Sequence, residues 1–194
     1  MKSLELTIRD IFDRLVELRR VSGLRAERGL SARVIISMFN ESGLDCPDDI
    51  VEVYGICNGT RSTSSDSVDE IAFFPGFYWM RLEECFEVYN SIRSSDEWSR
   101  LWFPIFANGG GDFYAVVCDK KSPDFGALVG FILGEKDHLI EFRSLKDMIS
   151  VISECLGQKV FFVSDGIYQA DYASMRLISA KIQAPFVEHE AIIH

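Results

Sequence analysis

Trp102-Phe103-Pro104-Ile105-Phe106-Ala107-Asn108-Gly109-Gly110-Gly111-Asp112-Phe113-Tyr114-Ala115-Val116-Val117-Cys118 is the stretch whose reading sets the fold. A short apolar run enters a glycine-rich turn and leaves it as a second apolar run, closed by Asp119. Residues 120–125 read as a turn, and 127–133 are apolar apart from Gly130. Gly134 to Asp137 has hairpin character, and 138–142 supplies a fourth run. Consecutive strands joined this briefly pair antiparallel, because a parallel crossover needs about a dozen residues or more.

Outward from this run the hydrophobic period changes. Leu145, Met148, Ile149, Ile152 and Leu156 form a helical stripe over 145–156, opened by Ser144 with Asp147 at capping-box spacing and stopped by Gly157. Residues 160–163 are β-like, and 171–183 predict a last helix limited by Pro185. Upstream, helices are expected over 4–20, 31–41, 47–57 and 81–92. Thr7 and Asp10 have capping-box spacing, Ser31 can cap the second helix, and Gly43 is placed to end it. Asn58-Gly59 ends the third. Residues 60–69 read as a mobile, serine-rich surface loop, and 71–78 as a strand with a turn at Pro75-Gly76. The expected architecture is a single α+β domain, a mixed and mostly antiparallel sheet covered by helices. Residues 1–157 form its body, and 158–194 an extension packed on it.

The 194 residues are enough for a core that needs no metal or disulfide. The formal charge of −10 disfavours a nucleic-acid backbone or an anionic membrane as direct partner and favours a basic protein surface. No window resembles a secretory leader or a spanning helix, so a cytoplasmic protein is expected. Cys46, Cys57, Cys85, Cys118 and Cys155 are odd in number and widely spaced, which fits reduced, buried thiols better than a disulfide framework or zinc.

The order of elements and a series of short words resemble the SUKH superfamily. The words are Cys46-Pro47 with Ile50 and Tyr54, Asn58-Gly59, Phe74-Pro75, Leu82, Trp98, Phe103-Pro104-Ile105, the glycines with Asp112, Asp119, Gly130, and Ser144-Leu145. They span about residues 30–157. The family unites a fungal cell-wall-synthesis regulator with many bacterial immunity proteins. The resemblance implies a non-catalytic protein-binding domain, with toxin neutralisation as the first expectation and a regulatory scaffold as the alternative. The serine-rich 60–69 segment and the residues beyond 157 depart from the family pattern.

Chemistry finds little footing. The glycines at 109–111 lead into a strand and lack a following Lys-Ser or Lys-Thr, so they are no P-loop; a tight turn with Asp112 bonding nearby N–H groups is expected. Asp112 and Asp119 lie at opposite ends of one strand, about 20 Å apart along it, too far to share one bond. His138 reads as a surface residue, and His189 and His194 lie near the last position. No cofactor or metal is expected; a small-molecule or catalytic site near Asp112 remains the third reading. Residues 41–70 carry eight acidic side chains against Arg61 alone, so the partner-binding set is placed at Asp48, Asp49, Asp66, Asp69, Glu70 and Asp112, with Trp79 and Trp102 as aromatic anchors and a basic toxin domain as the partner.

Overall fold

The computed structural model describes residues 3–63 and 65–184. The expected helix limit at Pro185 and the histidines at 189 and 194 lie outside them. The chain runs α1 (Leu4–Glu17), a 3-10 turn (Val21–Leu24), β1 (Ala26–Arg28), α2 (Ala32–Ser42), α3 (Asp48–Ile56), β2 (Cys57–Thr60), α4 (Val68–Ile71), β3 (Tyr78–Trp79), α5 (Leu82–Ile92), β4 (Trp102–Ala107), β5 (Phe113–Val117), β6 (Leu128–Phe131), β7 (Leu139–Phe142), α6 (Leu145–Gly157), β8 (Phe161–Ser164), β9 (Ile167–Ala170) and α7 (Tyr172–Ile182).

Strands β3 to β7 form a meander in chain order, flanked by the two-stranded ribbons β1–β2 and β8–β9. Every strand pairing among the described residues is antiparallel. Pro104 sits in an interior strand although it lacks an N–H. The irregularity between Pro104 and Phe106 accommodates it, as bulges do. That irregularity also changes the alternation. Phe103 and Phe106, three residues apart, both point to the inner face, opposite Val116 and Tyr114. Helices α1, α2, α3, α5 and α6 bury that face. Phe12 of α1 meets Trp79 and Phe73, while Phe39 of α2 meets Phe86 and Phe103. The outer face keeps a smaller cluster, in which Trp98 covers Ala115 and packs against Trp102, Phe113 and Phe131.

Several expectations change in the tertiary structure. The N-cap of α1 is Ser3, not Thr7, and Ser3 Oγ accepts from the Leu6 N–H. Asn58-Gly59 does not merely end a helix but forms β2, paired with β1. Residues 60–69 are not a plain surface loop: Thr60 is buried, the Arg61 N–H donates to the Arg25 carbonyl, and Ser67 with Glu70 makes a full capping box for α4. Ile71 therefore closes a helix, and the strand is only Tyr78–Trp79. The extra hairpin β8–β9 turns at Asp165-Gly166, both at positive φ (52° and 80°), the requirement of a type I′ turn.

Two polar side chains join distant parts. Asn58 Oδ1 accepts from the Leu82 N–H and Asn58 Nδ2 donates to Glu83, capping α5 in place of Arg81, whose side chain makes no cap. Gln183, just past α7, accepts from the Arg143 N–H and donates to the Glu141 carbonyl, both at 3.0 Å. Its amide thus occupies part of the open edge of β7 as a neighbouring strand would, which is protection against edge-to-edge pairing.

A Cβ at Gly59 would lie 2.4 Å from the Met80 carbonyl oxygen, and Gly59 has φ of 71°. Gly59→Ala is therefore expected to cost about 3 kcal/mol in urea unfolding. A loss below about 0.5 kcal/mol, the scale of an ordinary surface change, would refute the close approach.

Candidate protein-interaction surface

The acidic segment carries most of the expected partner-binding residues, and the structure engages several of them internally. Asp49 pairs with Lys146 Nζ at 3.0 Å and accepts from the Lys146 backbone N–H, while Lys146 Nζ also reaches Glu52 at 2.6 Å. These carboxylates, Glu52 first, hold the lysine above its ordinary range. Asp66 pairs with Arg25 and accepts from the Thr63 N–H and hydroxyl. The Arg25 guanidinium, followed by Thr63, holds its carboxyl below the usual value.

Asp69 is the most connected of the set. One oxygen takes Arg20 at 2.6 Å and the other the Tyr168 N–H at 3.0 Å, while Arg20 also donates to the Asp69 carbonyl. The Arg20 guanidinium lies over the Tyr168 ring at 5.3 Å, and Arg20 is only 7% exposed. Asp69 thus ties the end of α1, the acidic segment and the β8–β9 hairpin together. Glu70 is exposed and ionises readily, held low first by the Ser67 N–H and then by its hydroxyl. Asp48 is exposed in the first turn of α3.

Trp79 is a correction: at 0% exposure, beneath Phe12, Tyr54 and Phe73, it belongs to the core and cannot contact a partner. A two-residue strand is too short for hydrophobic alternation to assign its side chains to a face. Trp102 is half-buried on the outer face, its ring against Trp98 and His138. His138 is not a free surface residue either, for it packs between Trp102 and Phe131 with Nδ1 buried. Cys57 and Cys118 are buried, and burial pushes the Cys57 thiol up to about 12, so neither offers a thiolate nucleophile near neutral pH.

Contrary to the expectation from the sequence, Asp112 does not accept the backbone N–H groups of its own turn; Asn108 does that, and Asp112 reaches a distant one instead. Its Oδ1 accepts from the Leu133 N–H at 3.0 Å and its Oδ2 from Asn108 Nδ2 at 2.6 Å, while Asn108 Oδ1 accepts from the Asp112 and Gly110 N–H groups. The glycine turn between β4 and β5 is thereby locked to the turn between β6 and β7. Leu133 lies on Gly111, where a Cβ would come 2.8 Å from Leu133 Cδ2. On the other side Val68 of α4 abuts Gly109. Ile132 and Leu133, read in the sequence as the end of the third strand, instead lie past β6 on the turn, 52% and 58% exposed. The Leu133-Gly134 step, with a turn residue directly after the apolar run, is the signal that marks them.

A groove of about 650 Å³ runs between α1 and α6, and Asp112 does not line it. Its charges are partnered: Arg14 Nε pairs with Asp10 at 3.0 Å, and Lys146 with Asp49 and Glu52. Among the described residues no group of three or more His, Cys, Asp or Glu is placed to hold a metal ion, and no helix is long and apolar enough to cross a membrane. No protein-family model matches the chain, and no curated protein matches it.

The acids divide into braces (Asp49, Asp66, Asp69), the α4 capping residue Glu70 and the exposed Asp48. Asp69→Ala leaves buried Arg20 without its carboxylate and should cost about 2 kcal/mol or more, whereas Asp48→Ala should stay within about 0.5 kcal/mol. Equal losses in chemical denaturation would contradict the division. Because the folded state lowers the Asp66 carboxyl, its stabilisation is present above the ordinary carboxylate pKa and lost as pH falls through the lowered value. Asp66→Asn should flatten that part of the acid-unfolding profile.

Proposed function

We propose that this chain is a non-catalytic, cytoplasmic protein-binding domain of the SUKH type that neutralises a basic toxin domain by covering it. The mechanism is steric and electrostatic, with no bond made or broken. The observation that carries this reading is the anchoring of the acidic segment. Arg20, Arg25 and Lys146 brace Asp69, Asp66 and Asp49 from inside, and the exposed carboxylates of Asp48 and Glu70 stand on a backbone already fixed. A fixed negative surface loses little ordering entropy on binding and steers a basic partner toward itself. The SUKH-like order of words and the antiparallel α+β architecture support the same reading, and the unpaired cysteines, buried except for the half-buried Cys46, fit the cytoplasm.

The test is co-expression with the product of the reading frame beside this chain's own. That product is expected to be toxic alone and harmless together with this chain, in a complex that survives purification. Association should slow several-fold between about 0.02 M and 0.5 M salt. Asp48→Lys with Glu70→Lys should slow it by about tenfold at the lower salt and much less at the higher. A salt-independent association rate would remove the electrostatic part, and a harmless, non-binding neighbour would remove the reading.

A further inference from the structure

We propose that the partner is gripped by a platform made of the two locked turns at one end of the meander, with Ile132 and Leu133 as apolar anchors. The ligand it fits is a protein segment that sets apolar or aromatic side chains between lysines or arginines. This rests on the protein-binding reading above and assigns the contact to the Glu70 side of the acidic segment; Asp48 follows Pro47, which lies by Gly126 at the other end of β5 and β6, and acts on association through long-range steering alone.

Three observations meet here. Ile132, Leu133 and, at the start of β7, Leu139 are 52%, 58% and 72% exposed, a concentration of large apolar side chains within eight residues of one hairpin. Exposed apolar groups grouped in this way mark contact surfaces, whereas scattered ones do not. Second, the hairpin is not a loose loop. Asp112 accepts the Leu133 N–H, Asn108 holds Asp112, and Gly111 provides the seat on which the Leu133 side chain rests. Two of the three consecutive glycines acquire a purpose from this: a side chain at 111 would displace Leu133, and one at 109 would collide with Val68. A rigid anchor keeps the entropic cost of binding low.

Third, the border is acidic. Glu135 and Asp137 are exposed in the same turn beside Lys136, Asp112 lies beneath, and Glu70 stands on α4, whose Val68 touches the glycine turn. Among the described residues no hydrogen bond or ion pair engages the Glu135 or Asp137 carboxylates. Apolar anchors within such a border select a partner with the opposite rim. Asp112 and Gly111 act here as positioning residues, and the contact is made by Ile132, Leu133 and the surrounding carboxylates.

A phage-displayed random-peptide library selected on the full chain tests this directly. The recovered peptides are expected to combine apolar or aromatic residues with lysine or arginine, and to bind at least about tenfold more weakly to Leu133→Asp and to Ile132→Asp. Both substitutions are on exposed turn positions, and unchanged thermal unfolding will show that the variants fold. Asp112→Asn, which keeps an acceptor for the Leu133 N–H, should bind better than Asp112→Ala. Basic, apolar peptides that bind the variants as tightly as the parent would remove the platform and leave the protein-binding reading in place. Peptides without basic residues would overturn the assigned partner chemistry. A selection that returns no saturable binder would overturn the platform, while the protein-binding reading stands or falls on the co-expression test.

Discussion

The backbone of Gly59 lies so close to the Met80 carbonyl that no side chain fits between them, and the rest of the fold is arranged around that approach. Gly59 belongs to β2, which closes the N-terminal helical half, and Met80 directly follows β3, the first strand of the meander. Asn58, one residue earlier, caps α5 across the same junction. Tyr54 of α3 strengthens it by donating to the Met80 carbonyl at 3.0 Å, from a position where burial raises its own hydroxyl well above the ordinary range. One carbonyl and one helix N-terminus are thus satisfied from outside their own elements, which fixes the helical layer over the inner face of the sheet.

Pairing across distant segments also governs the charges. A net charge of −10 suggests a surface made for a partner, yet Asp49, Asp66 and Asp69 are turned to lysine and arginine within the chain. The positive excess of the first forty residues is taken up in part by this bracing, since Arg20 and Arg25 both come from there. Beside these paired acids stands a smaller set of exposed carboxylates, Asp48 and Glu70 among them. Asp69 has the widest reach, because its two oxygens answer Arg20 on one side and the Tyr168 hairpin on the other. The residues beyond 157 are joined to the body through it, and through Gln183 at the edge of β7.

Much of the architecture is legible in the sequence, and the exceptions have physical causes. Long amphipathic helices and apolar strands announce themselves by period, so α2, α3, α5, α6 and the four strands from β4 to β7 lie close to where the spacing puts them. Short elements lack a period. Ala26–Arg28 is polar and Cys57–Thr60 contains Asn-Gly, so each reads as a connection, and only their mutual pairing makes them strands. Two short elements do carry a local signal: Ser67 with Glu70 for α4, and Asp165-Gly166 for the β8–β9 hairpin. The candidate surface is half legible. Asp112 and the glycines stand out by composition, but the partner turn that gives them a role lies about twenty residues away in sequence.

The sequence by itself determined the class of the fold, the antiparallel order of the central strands and the tight glycine turn between two of them, because each depends on neighbours within a few residues. Only the tertiary structure decided that Trp79 is core, that Asp49, Asp66 and Asp69 are braces, and that Ile132 and Leu133 face outward. Burial and charge pairing depend on residues tens of positions apart. A single irregularity in β4 after Pro104 is enough to alter which side chains a strand hides; the proline signals a break in the ladder, but which residues it turns inward is set by the pairing with β5.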